Sequence, residues 1–271
     1  MGRRRQAVIA VVALGVALTA ATVGRGDANK SIPAVPAFTA AQLNAPAGDD
    51  WLTNGGSITN QRYSTLNQID KSNVGKLKLA WKIHLHSGGT RAYSQEATPV
   101  VYKGVMYIST GNDDVFALDA ATGKQLWMWH SHIPVTKITT ACCGFSNRGV
   151  AIGDGKVFIA LITGQLVALD QPTGHVVWRT WNTRWQEGGT MTLAPLYFSG
   201  KVIVGISGGE MGARGAVTAF DAKTGAQIWR FYTCPAYGDI GGGTWSGNEY
   251  QHCGAAVWST PTVDPDRGLV Y

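Results

Sequence analysis

The stretch Leu118-Asp119-Ala120-Ala121-Thr122-Gly123-Lys124-Gln125-Leu126-Trp127 decides the fold because it returns twice. The second copy is Leu169-Asp170-Gln171-Pro172-Thr173-Gly174-His175-Val176-Val177-Trp178, and the third is Phe220-Asp221-Ala222-Lys223-Thr224-Gly225-Ala226-Gln227-Ile228-Trp229. The aspartates at 119, 170 and 221 are evenly spaced, and a period of about 50 residues is the mark of a β-propeller blade or a similar array. In each copy Asp and Thr are suited to bond the turn backbone, and the glycine supplies positive φ. A hairpin is expected there, with the closing Trp filling the space between neighbouring blades.

Working outward, strand pairs surround turn residues between the copies. They run from Thr98 to Thr110 around Lys103-Gly104, from Val150 to Ile162 around Asp154-Gly155, and from Ala194 to Ile206 around Ser199-Gly200. Trp81, after Val74-Gly75-Lys76-Leu77, ends what reads as a similar strand, and a further hairpin opens at Thr260 and reaches Tyr271. A chain stopping inside a hairpin leaves an open edge, which a closed propeller does not tolerate. The expectation is the N-terminal part of a longer protein.

Composition agrees with all-β structure. Hydrophobic residues make up 45%, charged residues only 15%, and there are 10 Trp, which excludes a disordered chain or a coiled coil. The 35 glycines point to many tight turns between short strands. The formal charge is +6, yet Arg3, Arg4, Arg5 and Arg25 lie in or beside an N-terminal targeting segment, and the other cations are scattered. No basic stripe for nucleic acid is left. Arg3-Arg4-Arg5 followed by the apolar run from Ala7 to Val23 reads as a secretory signal peptide over residues 1–25, or a membrane anchor if uncleaved. Residues 26–49 then read as a linker and 50–271 as the folded unit. Export to the periplasm or beyond follows, and in that compartment the four cysteines should be oxidised, with three pairings open.

Four clusters stand outside the repeat: Gln95-Glu96-Ala97-Thr98-Pro99, Cys142-Cys143-Gly144-Phe145-Ser146-Asn147-Arg148-Gly149, Thr190-Met191-Thr192 leading into Ser207-Gly208-Gly209-Glu210, and Gly254-Ala255-Ala256-Val257-Trp258. Together with Asp50-Trp51 and Asn60-Gln61-Arg62-Tyr63-Ser64, they resemble the pyrroloquinoline quinone (PQQ)-dependent alcohol dehydrogenases from about Asp50 to Tyr271. The resemblance implies an eight-bladed β-propeller, of which this chain holds roughly the first half. It implies PQQ as cofactor and Ca²⁺ or a lanthanide ion as metal. It also implies an alcohol as substrate and an external electron acceptor, commonly a c-type cytochrome.

By the same resemblance, Cys142 and Cys143 form a vicinal disulfide over one face of the quinone and Trp258 forms the opposite wall. Here His252-Cys253-Gly254 stands where the family usually has a glycine pair. Arg148 is implied to bind a cofactor carboxylate, Thr192 and Ser207 to donate hydrogen bonds, and Gly208 and Gly209 to allow close approach. Glu96 is implied to lie near the cofactor's polar ring atoms. Glu210 matches the family's metal ligand, a hard oxygen donor suited to such cations. Cys234 and Cys253 would then pair with each other. The general-base aspartate and the next metal ligand are expected beyond residue 271, so no catalytic base is assigned and the fragment alone is expected to be inactive. A non-enzymatic propeller serving as a scaffold in outer-membrane assembly is the alternative, but such a protein has no reason to keep Cys142-Cys143, Arg148 and Glu210 together.

Overall fold

Each repeated phrase folds as the tight connection between the third and fourth strands of a four-stranded antiparallel sheet. The computed structural model describes residues 31–85, 93–139, 141 and 144–271, with the backbone alone for residues 93–95. Helix α1 (Ala40–Asn44) and strand β1 (Tyr93–Gln95) precede the first blade, which holds β2 (Val100–Tyr102), β3 (Val105–Ser109), β4 (Val115–Asp119) and β5 (Gln125–Trp129). Strand β6 (Phe145–Asn147) pairs in parallel with β1. The second blade holds β7 (Ala151–Gly153), β8 (Lys156–Ala160), β9 (Gln165–Asp170) and β10 (Val176–Trp181). The third holds β11 (Leu196–Phe198), β12 (Lys201–Gly205), β13 (Ala216–Asp221) and β14 (Gln227–Tyr232), and a last hairpin follows as β15 (Val263–Asp264) and β16 (Leu269–Val270). In all three blades the strands pair in sequence order, so the expected hairpins form, at Lys103-Gly104, Asp154-Gly155 and Ser199-Gly200.

The phrase has the geometry its residues require. Asp119 Oδ1 accepts from the backbone N–H of Ala121 and Thr122 and from Thr122 Oγ1, and Asp221 repeats all three bonds. Gly123, Gly174 and Gly225 sit at φ of 72°, 73° and 75°, where a side chain is strained. The register of the last two strands slips at the same place in every blade, which sets Trp127, Trp178 and Trp229 opposite Ala117, Ala168 and Ala219.

That placement explains how blades join. The Trp127 indole donates to the Gln171 carbonyl at 3.0 Å, and a Cβ on Gly174 would lie 2.7 Å from its ring. Trp178 bonds the Ala222 carbonyl and lies against Gly225 in the same way. Trp127 and Trp178 therefore each dock on the phrase of the next blade, and only a residue lacking Cβ leaves room for the ring. Trp81 follows the rule, donating to Ala120 and covering Gly123. It does so without the strand expected of it. Val74–Lys76 is a 3-10 turn and residues 77–85 carry no ladder among the described residues, so the docking of Trp81 does not depend on sheet pairing.

The described part of the expected linker is laid onto the blades. Val35, Phe38 and Leu43 are buried in the core, Phe38 meets the Tyr102 ring edge-on, and α1 carries a Thr39–Gln42 capping box. The cause lies in the second phrase, where Gln171 replaces the alanine of its sister copies. Its amide accepts from Val35 N–H, donates to the Pro33 carbonyl and contacts the Tyr107 hydroxyl. The core itself runs through β3, β4, β8, β9 and β12. No helix among the described residues is long and apolar enough to cross a membrane.

Candidate functional site

Loops at one end of the three blades converge on a cleft of about 280 Å³, and its lining includes Glu96, Arg148, Thr192, Ser207, Gly208, Glu210 and Trp258. Seven positions singled out in the sequence thus meet in one place. Gly209 lies behind the loop and outside the lining. A Cβ there would come within 3.2 Å of Gly254 and 3.3 Å of Ala256, so its bareness brings two loops together. Cys142 and Cys143 lie outside the described residues. Cys234 and Cys253 are joined in a disulfide.

Arg148 is the centre of the arrangement, and its backbone is pinned from three sides. Its N–H donates to Thr192 O at 3.1 Å, while its carbonyl accepts from Thr98 N–H and from Asn54 Nδ2. The guanidinium then reaches Glu96 at 2.6 Å, Thr192 Oγ1 at 2.9 Å and Thr192 O at 3.2 Å. Thr192 Oγ1 is in turn 3.0 Å from Ser207 Oγ. The Trp258 ring lies over the guanidinium at 4.9 Å from its centroid and is 53% exposed. Glu96, expected near the cofactor's polar ring atoms, is paired with Arg148.

Glu210 rides on an insertion. The second and third strands are joined by residues 110–114 in the first blade and 161–164 in the second, but by residues 206–215 in the third. The longer loop is fastened at its root by paired backbone bonds between Thr190 and Ser207. Gly208 (φ 98°) turns the chain, and a Cβ there would strike the Gly188 carbonyl. The short 3-10 turn Gly209–Met211 then presents Glu210 to solvent at the cleft, where no hydrogen bond or ion pair from the described residues occupies its carboxylate. Among the described residues no group of three or more His, Cys, Asp or Glu could enclose an ion.

One buried acid lies beneath the cleft and was not singled out in the sequence. Asp113 has no exposed surface and sits at φ 60°. Burial pushes its carboxyl up to about 8, and the charge of Asp114 adds to the rise, against the N–H donors of Ile162 and Asn147. The clue was readable in the repeat: the positions one and two periods on are Gly164 and Gly215, so an acid occupies a glycine's turn.

Comparison with known proteins agrees with this geometry. The family profile described as "PQQ: Glucose/ethanol/alcohol dehydrogenase, beta-propeller domain" matches residues 51–271. Quinohemoprotein alcohol dehydrogenase ADH IIB of Pseudomonas putida is 40% identical over 236 residues, covering 83% of this chain and 34% of that protein. The dehydrogenase subunit of alcohol dehydrogenase (quinone) from Gluconobacter oxydans is 41% identical over 244 residues, covering 82% and 32%. Among solved structures, a europium-containing methanol dehydrogenase superposes with a TM-score of 0.76 at 31% identity, covering 82% of this chain and 42% of that one. The chain spans about a third of the length of the curated relatives it matches.

Proposed function

The chain belongs to the PQQ β-propeller family of glucose, ethanol and alcohol dehydrogenases, and from that premise we propose that the cleft is part of the PQQ site of an exported alcohol dehydrogenase. The observation that carries this is the meeting of Arg148, its Thr192 and Ser207 hydroxyl partners, the exposed face of Trp258 and the unpartnered Glu210 in one cleft. A planar quinone bearing carboxylates calls for that donor set: a fixed cation, hydroxyls and a flat aromatic wall.

When bound, the quinone supplies the acceptor for the two electrons of the alcohol, and a bound cation polarises it. The chain's own residues bind and orient. Arg148 offers a guanidinium whose backbone is locked, so charge complementarity is preorganised at little entropic cost. The exchange it makes is one of partners, with Glu96 giving way to, or sharing with, a ligand carboxylate. Thr192 and Ser207 hold hydroxyls at hydrogen-bond spacing. Trp258 covers one side of the Arg148 guanidinium. Glu210 is the chain's contribution to the metal shell, with Ca²⁺ or a lanthanide suited to its hard oxygens.

Neither cleft carboxylate among the described residues is assigned the part of general base. Glu96 is paired with Arg148, and Glu210 is assigned to the metal. We therefore assign the proton-abstracting aspartate, the rest of the metal shell and the alcohol pocket to other parts of the whole protein, and expect these 271 residues alone not to oxidise alcohols. The Arg-rich, apolar N-terminus and the Cys234–Cys253 disulfide support export to the periplasm, and a c-type cytochrome is the acceptor that fits that compartment.

The experiment compares the whole protein with its Glu210→Ala variant, loaded with PQQ and Ca²⁺ or a lanthanide. Near-equal quinone and metal, alcohol-dependent dye reduction and loss of metal in the variant support the reading. A folded wild type retaining neither group refutes it.

A further inference from the structure

We infer that Asp113 is a positioning residue for the cofactor site, acting through Asn147 to fix the backbone that carries Arg148. The inference rests on the reading of the cleft as a PQQ site.

The side chain of Asn147 brackets Arg148. Its Oδ1 accepts from Gly149 N–H at 2.9 Å, closing a turn whose middle residue is Arg148, and also from Ser109 Oγ at 2.6 Å. Its Nδ2 donates to Asp113 Oδ1 at 2.8 Å and to the Ala160 carbonyl at 3.0 Å. Both ends of the amide are thus committed, and the pattern leaves one orientation for it. Asp113, Ser109 and Asn147 are fully buried, so an unmade bond in this group has no water to replace it.

The second oxygen of Asp113 accepts from Ile162 N–H at 2.7 Å, and Ile162 lines the same cleft. One carboxyl group therefore ties three pieces of chain together: the turn after β3, the end of β6 and the loop after β8. Two of the residues it fixes, Arg148 through the Asn147 bracket and Ile162 directly, face the cleft. A carboxyl group suits the task because each of its two oxygens can accept a hydrogen bond, one from Asn147 Nδ2 and one from Ile162 N–H. A glycine, which stands at this position one and two periods later, accepts at neither. The groups around the acid are Asn147, Ile162 N–H and the adjacent Asp114, whose own oxygens accept from Ser131 N–H and face His130 at 3.6 Å.

The test measures PQQ retention by ultrafiltration in the presence of Ca²⁺, alongside melting temperature, on the whole protein. Asp113→Asn sets an NH₂ group against a donor, and the loss of one buried bond predicts affinity about tenfold weaker. Asp113→Asn with Asn147→Asp restores the bond between the two side chains at constant charge while leaving the Ala160 carbonyl without its donor, and recovers part of the affinity. Ser109→Ala, a milder cut, weakens binding about threefold and carries the test should Asp113→Asn fail to fold. Unchanged affinity in folded Asp113→Asn or in Ser109→Ala, with only the melting temperature lowered, overturns the inference. So does an exchange variant that regains stability without regaining affinity. A folded wild type that retains no PQQ overturns the functional reading and this inference with it.

Discussion

Trp127 and Arg148 are both large side chains that reach from one part of the propeller to the next, and they are built in opposite ways. Trp127 is 8% exposed, spends its one donor on the Gln171 carbonyl and presses its ring on the bare Cα of Gly174. The same solution serves Trp178 on Gly225 and Trp81 on Gly123. Arg148 has no counterpart in the other blades. It draws on Glu96, Thr192 and Trp258 from separate loops, and its backbone is held by residues from elsewhere again. A seam can be copied because it needs only shape and one donor. A cleft of this kind cannot, because its side chains come from separate loops that no period relates.

The largest effect falls at the seam. Truncating Trp127 to Ala empties a space between two blades and should cost about 3–5 kcal/mol in denaturant unfolding, whatever happens at the cleft. A loss below 1 kcal/mol would mean that the seam is not what joins the blades. Gly174→Ala puts a Cβ into the Trp127 ring at a positive φ, with an expected loss of about 1–3 kcal/mol.

The buried acid sharpens the contrast through pH. Asp113 titrates near 8 in the folded chain against 3.8 ordinarily, so between those values the folded state holds a proton that the unfolded state has lost. Stability from this group is present below about pH 4 and is lost as pH rises toward 8, at up to about 1.4 kcal/mol per pH unit. The non-titrating Asp113→Asn variant lacks that slope. Its stability deficit relative to wild type should therefore shrink from pH 5 to pH 8, and a constant gap would show that Asp113 is ionised throughout.

At the cleft rim the effects on folding are smallest. Glu210 is exposed and unpartnered among the described residues, so Glu210→Ala should change stability by no more than about 0.5 kcal/mol, as read by thermal melting, while removing the proposed metal ligand. A large stability loss would make Glu210 a structural residue.

The same contrast explains what was legible in the sequence. The seam repeats, so the period, the turn chemistry of Asp119 and Gly123 and the strand pairs could be read from one chain alone. Gln171 could not, because its importance appears only when residues 33–35 are found beside it. For that reason residues 26–49 read as a linker. Trp81 looked like the end of a strand because the phrase resembled its sisters, whereas docking requires only the ring and the glycine beneath it. The cleft residues come from segments far apart, and no period relates Glu96, Arg148, Glu210 and Trp258. They were found by family resemblance. Asp113 was visible only as an acid in a glycine's place, and burial, which gives it meaning, is a property of the folded chain.

The central claim is that the non-repeating cleft binds a carboxylated quinone and the repeating seams do not need it. Its most direct test is PQQ retention, read by absorbance after ultrafiltration with Ca²⁺, in whole wild-type protein and in Arg148→Ala. The account predicts near-stoichiometric quinone in the wild type and its loss in the variant, with both proteins folded. Equal retention by folded Arg148→Ala, or none by folded wild type, would contradict it.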